Sequence, residues 1–250
     1  VTTFASEAMV ALLLLAGTAN LAMAQPLALA SWMANRGENT PSAFTLPAQP
    51  TDVKDALDDF QRMAQHQQWE KAFKSLETIT AKGASGFVNR GDGVLVPGHV
   101  VVRRLLAELP AGGRSAYRLF YDAQAVALWD KAQDQQEQTN LEAIVNNHLV
   151  SSLGDRAADR LGDLYFEQGE YEQAIAAWRA LLMYCPDTKI PRTPVLLKIA
   201  TALVRAGRGV EFREIQQAIL KDHAGDAVVF GGKSMPAGER IALLANTAGL

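Results

Sequence analysis

Apolar residues return at helical spacing along most of this chain. From Thr51 onward Val53, Leu57, Phe60 and Met63/Ala64 recur every third or fourth position; after a polar break at Gln65-His66-Gln67-Gln68, a second run carries Trp69, Ala72, Phe73, Leu76 and Ile79. That spacing puts each set on one face of an α-helix, and Gly83 supplies a C-terminal stop. The segment reads as a short-turn helical hairpin. Between Gly83 and Gly98, Gly86, Gly91, Gly93 and Pro97 surround Val94-Leu95-Val96, which predicts a loop holding at most a small hairpin. Helical patterns return over 99–109, 114–131 and 141–153, with breaks at Pro110-Ala111-Gly112-Gly113 and over the Gln/Asp-rich stretch 133–138. The clearest helices are 155–168 and 171–184. A loop with three prolines, 186–194, precedes a further pair at 195–206 and 210–223. Val228-Val229-Phe230 and Gly231-Gly232 then predict a β-hairpin, followed by a helical stretch at 241–245.

The front of the chain follows a different pattern. Residues 10–19 (VALLLLAGTA) form an apolar run of the length of a signal-peptide core and too short to span a bilayer. Ala22-Met23-Ala24 is a small-x-small cleavage pattern, so 1–24 is expected to be a signal peptide cut before Gln25. Residues 1–9 hold no Lys or Arg and carry Glu7. The run therefore also fits an uncleaved buried or interfacial helix. Opening on Val1 fits an alternative start codon or a chain truncated at the front. No cysteine follows the run, which argues against a lipid anchor. Residues 25–50 are rich in Ala, Pro, Ser, Thr and Asn without a period and read as a flexible linker. The helical domain is expected over 51–225. A small hairpin and helix over 226–250 would lead to any further domain.

One segment carries a repeat. Residues 155–188 span one 34-residue period, with Leu161, Gly162, Tyr165, Ala174, Trp178 and Pro186 at spaced positions. Ala158, Leu161, Gly162 and Tyr165 share a helix face. Gly162 and Ala174 are small where two helices must approach closely, Trp178 fills space toward the next unit, and Pro186 cannot continue the helix. The segment resembles a tetratricopeptide repeat. One such unit cannot bury both its faces, so neighbours are required. Aligning Trp69 with Tyr171 puts Ala72 on Ala174 and Leu76 on Trp178; aligning Gly207 with Gly169 puts Leu203 on Tyr165 and Ile219 on Leu181. The fold expected is all-α: a tetratricopeptide-like helix-pair array, an α-solenoid, with a small β-hairpin near the C-terminus.

A wider resemblance covers about 60–245. Trp69-Glu70-Lys71-Ala72-Phe73, Tyr117-Arg118-Leu119-Phe120-Tyr121-Asp122 and the run 154–163 (GDRAADRLGD) are similar to the N-terminal helical region of bacterial PQQ-like β-propeller repeat proteins. That family is found in planctomycetes and is often labelled BamB-like after an outer-membrane assembly factor. The resemblance implies an exported interaction protein of the periplasm or cell envelope. It transfers no quinone-binding residue, because no run of regularly spaced strands with blade motifs is present.

Composition narrows the chemistry. The chain has 250 residues, 48% hydrophobic, and a net charge of −3 with both signs interspersed. A core can form, and the concentrated basic surface of a nucleic-acid binder is absent. Cys185 is the single cysteine, so neither an internal disulfide nor a thiol zinc cluster can form. His66, His99, His148 and His223 lack metal-ligand spacing. Residues 227–234 (AVVFGGKS) formally fit a relaxed phosphate-binding loop, but the strand-like residues lie inside the supposed loop and Pro236 follows at once, which favours a hairpin. Arg90-Gly91-Asp92 matches an adhesion tripeptide and is more simply turn chemistry. No nucleophile–base pair stands out, and the expectation is a non-enzymatic protein without cofactor or metal.

The candidate binding face is the first helix of the repeat. Arg156, Asp159, Asp163, Phe166 and Glu167 lie on a face distinct from the packing face. Three carboxylates flanking one Phe suit an extended or helical peptide carrying Lys or Arg and an apolar anchor. The same charges also fit a plain solvated surface. The leading function is an exported scaffold binding a protein or peptide partner, with the carboxylates of this face suited to a basic one. The alternatives are the helical part of a BamB-like propeller protein in envelope assembly and an accessory domain of a quinoprotein or nucleotide-dependent enzyme.

Overall fold

The computed structural model describes residues 51–83, 87–89, 95–134, 136–230 and 232–249. The expected signal peptide (1–24), the linker (25–50) and Arg90-Gly91-Asp92 lie outside the described residues.

The chain is mostly helical. In order it forms α1 (Thr51–Gln65), α2 (Trp69–Gly83), β1 (Phe87–Asn89), β2 (Leu95–Pro97), α3 (Gly98–Glu108), α4 (Ala111–Asp134), α5 (Glu137–Asn147), α6 (Gly154–Glu167), α7 (Tyr171–Tyr184), α8 (Arg192–Arg205), α9 (Gly209–Asp222), β3 (Ala227–Phe230), β4 (Lys233–Pro236) and α10 (Ala237–Ala248). The strands make two separate antiparallel hairpins, β1–β2 and β3–β4. The all-α expectation with a hairpin near the C-terminus holds at this level.

Three helix pairs are closed by the same turn. After α6, Gly169 N–H donates to Phe166 C=O (3.1 Å) and Glu170 N–H to Tyr165 C=O (2.8 Å). After α8, Gly207 N–H donates to Val204 C=O (3.1 Å) and Arg208 N–H to Leu203 C=O (2.9 Å). After α1, Gln67 N–H donates to Ala64 C=O (3.0 Å) and Gln68 N–H to Met63 C=O (2.9 Å). This double bond pattern satisfies the last carbonyls of a helix and needs a left-handed residue at its centre. Gly169, Gly207 and Gln67 supply it, at φ +81°, +72° and +56°. The following helices then begin alike, with Ala174, Phe212 and Ala72 donating back to Glu170, Arg208 and Gln68.

Burial follows the pairing. One core gathers Val53, Phe60, Phe73, Ile79, Leu106 and Tyr117 from α1–α4. A second holds Leu141, Ile144, Ala158, Leu161, Ala177 and Leu181 from α5–α7. A third holds Ala174, Trp178, Ile199, Leu203, Phe212, Ile219, Val228 and Ile241 from α7–α10. Helix α7 serves two of them: Ala177 and Leu181 face back, Ala174 and Trp178 face forward.

Within residues 155–188, Leu161 and Ala174 are buried and Trp178 is only 1% exposed. A Cβ built on Gly162 would lie 2.3 Å from Trp178 Nε1, so only glycine lets the indole lie against α6. The indole N–H donates to Asp159 C=O at 3.2 Å. Tyr165 is half-buried, and its hydroxyl donates to Glu142 Oε1 at 2.7 Å. Burial first, and that bond second, push its phenol up to about 12. Pro186 follows the end of α7.

Some boundaries differ from the pattern-based ones. The expected helix 141–153 is α5 plus a turn, because α6 starts by pressing Gly154 against the Leu149 carbonyl, within 1.9 Å of a notional Cβ. Pro194 lies inside α8 rather than in the loop; a first-turn proline loses an N–H that has no helical acceptor. The stretch 83–98 does contain a hairpin, with Val88 opposite Val96.

Candidate functional site

The α6 sequence splits into two faces. Ala157, Ala158, Leu161 and Gly162 are buried against neighbouring helices, which leaves Asp159, Asp163 and Phe166 at the other side. Leu197, Lys198 and Thr201 come from α8, where their spacing shares one face. Val228 and Val229 come from β3 and Arg240 from α10. With Asp163, Phe166, Trp178 and Pro194 these residues line a cleft of about 360 Å³. Trp178 and Phe166, with ring centroids 6.1 Å apart, give it an aromatic wall.

Lys198 organises the charges. Its Nζ lies 2.8 Å from Asp159 Oδ1 and 2.8 Å from Asp163 Oδ1, and 5.7 Å from the centre of the Trp178 ring. Burial works to lower the Lys198 ammonium, but its bonds to both carboxylates outweigh it and hold it above its ordinary value. Burial pushes the Asp163 carboxyl upward, against the pull of Lys198. The two aspartates thus share one cation instead of facing solvent as an open acidic trough. A similar pairing occurs earlier in the chain, on α6. Arg160 precedes Gly169 by the same distance as Lys198 precedes Gly207, and its Nε lies 2.7 Å from Glu137 Oε1.

The five expected groove residues do not form one set. Asp163 and Phe166 line the cleft, and Asp159 joins them through Lys198. Glu167 turns to Arg160 at 3.8 Å. Arg156 stacks its guanidinium 4.6 Å from the Trp129 ring centre and borders a different cavity with Ser152 and Lys189. Lys198, Leu197, Val229 and Arg240 were not readable as site residues from residues 155–188. The turn-glycine alignment was the available signal, since it pairs Lys198 with Arg160.

Other chemistry-bearing features have structural roles. Lys233 and Ser234 lie in β4, paired with Phe230 and Val229, so no helix begins at the Gly-Lys-Ser run. Among the described residues no group of three or more His, Cys, Asp or Glu side chains is placed to hold a metal ion. No described helix is long and apolar enough to cross a membrane. Cys185 is buried with its thiol donating to Leu149 C=O at 3.4 Å, and burial pushes that thiol up to about 12. Comparison with protein-family models, curated proteins and solved structures gives no match for this chain.

Proposed function

We propose that this chain is a non-enzymatic, exported interaction module of the periplasm or cell envelope, organised as a tetratricopeptide-type array, that binds a peptide segment of a protein partner in the cleft between α6, α8 and β3. The recurrence of one turn geometry at Gln67, Gly169 and Gly207 supports the repeat reading. The observation that carries the binding reading is the cleft itself, an apolar and aromatic hollow with a few fixed polar groups on its rim. Its size suits one or two side chains rather than a folded surface. Asp159 and Asp163 already hold Lys198, so their charge orients α8 against α6 and leaves an apolar anchor as the main determinant of binding.

The test is selection of random linear peptides on the full-length chain, followed by titration against Thr201→Trp. Thr201 is half-buried on the cleft wall, and an indole there fills the hollow. Enriched peptides should lose at least about tenfold in affinity for the variant, while thermal unfolding shows it still folded. Equal affinity for both chains, or no enrichment, refutes the cleft as the binding site.

A further inference from the structure

We infer that the segment bound in this cleft adds as a β-strand to the free edge of β3; the inference rests on the cleft being the binding site. The hairpin pairs Phe230 with Lys233, Val229 with Ser234, Val228 with Met235 and Ala227 with Pro236. Two residues separate Phe230 from Lys233, so this pair closes the turn and carries ladder hydrogen bonds. Bonded and non-bonded pairs alternate along an antiparallel ladder. Val228–Met235 is then the next bonded pair, and Val229 and Ala227 turn their N–H and C=O groups away from β4. Pro236 agrees with this phase: having no N–H, it stands opposite Ala227, where the ladder needs no donor.

That outward edge has no other strand beside it. Among the described residues β3 pairs with β4 alone, and no further backbone bond reaches Ala227 or Val229. β3, and not β4, borders the cleft. Val228 points into the core at 5% exposure, while Val229 is 77% exposed. An extended segment laid along this edge gives Ala227 and Val229 backbone partners and sends alternate side chains toward Phe166, Trp178 and Leu197. Lys198 is already held between Asp159 and Asp163, so the cleft selects through its apolar and aromatic lining. The partner that fits is an extended peptide with apolar residues at alternate positions.

Peptides enriched on the full-length chain supply the probe. Each is remade with N-methyl groups on alternate backbone amides, once in each phase. Strand addition uses the amides of one phase only, so one series should bind about tenfold or more weakly and the other should bind as before. Val229→Pro removes an outward donor without touching the β3–β4 ladder, and should weaken the unmodified peptide about three- to tenfold. If both methylated series and Val229→Pro match their parents while Thr201→Trp still abolishes binding, side chains alone hold the peptide: the strand is refuted and the cleft stands. Sensitivity to methylation without sensitivity to Val229→Pro puts the strand on another edge and also refutes it. Indifference to Thr201→Trp removes both readings.

Discussion

Replacing Trp178 with Ala is expected to destabilise the fold by about 3–5 kcal/mol, the range for deleting a fully buried large aromatic. Its side chain is 1% exposed, packs on Gly162, and donates its N–H to Asp159 C=O. Its loss also strips the cleft of an aromatic wall and takes the ring from beneath Lys198. Denaturant unfolding reads the effect as a large drop in midpoint. A double-mutant cycle isolates the cause. Gly162→Ala gains about 1 kcal/mol in helix propensity, but its Cβ would meet the indole at 2.3 Å, and overpacking of that kind costs about 1–3 kcal/mol. In the native background the clash wins and the variant is less stable. In the Trp178→Ala background the clash is gone and the same change should stabilise. A sign that does not reverse would mean that Gly162 is not retained for the indole.

The second large effect is expected at Gly154. A Cβ there would lie 1.9 Å from Leu149 O and 2.4 Å from Leu149 C, and backbone cannot rotate aside as a side chain can. Gly154→Ala should therefore cost about 3 kcal/mol, the upper end for forced repacking. It carries its own reporter. Leu149 C=O is the acceptor for the Cys185 thiol, which burial holds up near 12 and out of reach of reagents. In the native chain Cys185 should react with a thiol reagent only on unfolding. In Gly154→Ala it should react under native conditions, because moving the 148–153 turn opens the same packing. Unchanged stability and an inert thiol would show that the turn absorbs the methyl.

The helix pairs were legible because their markers are local. A polar break, a turn glycine and a three-to-four spacing are each written within a few residues, and Gly169 and Gly207 fall where a left-handed residue is needed. Gln67 does the same task without being glycine, so only the polar run 65–68 marked it. Gly162 was identifiable as small where a close contact is needed, and a notional methyl there strikes Trp178; Ala174 is buried. The charge of the groove was not legible. Counting Asp159, Asp163 and Glu167 along one helix predicts an open acidic face, but periodicity says which side a residue takes and not what arrives opposite it. Lys198 reaches the aspartates from α8, and Arg160 diverts Glu167. The contributions of β3 and α10 come from still farther along the chain, through a hairpin whose register sets which edge is free.

Backbone-amide NMR of the full-length chain, titrated with an enriched peptide, tests the binding site most directly. Shifts should concentrate at Phe166, Leu197, Thr201 and Val229. Shifts gathered instead at the groove of about 800 Å³ lined by Leu57, Val101, Leu105 and Met183, with those four amides unmoved, would contradict it.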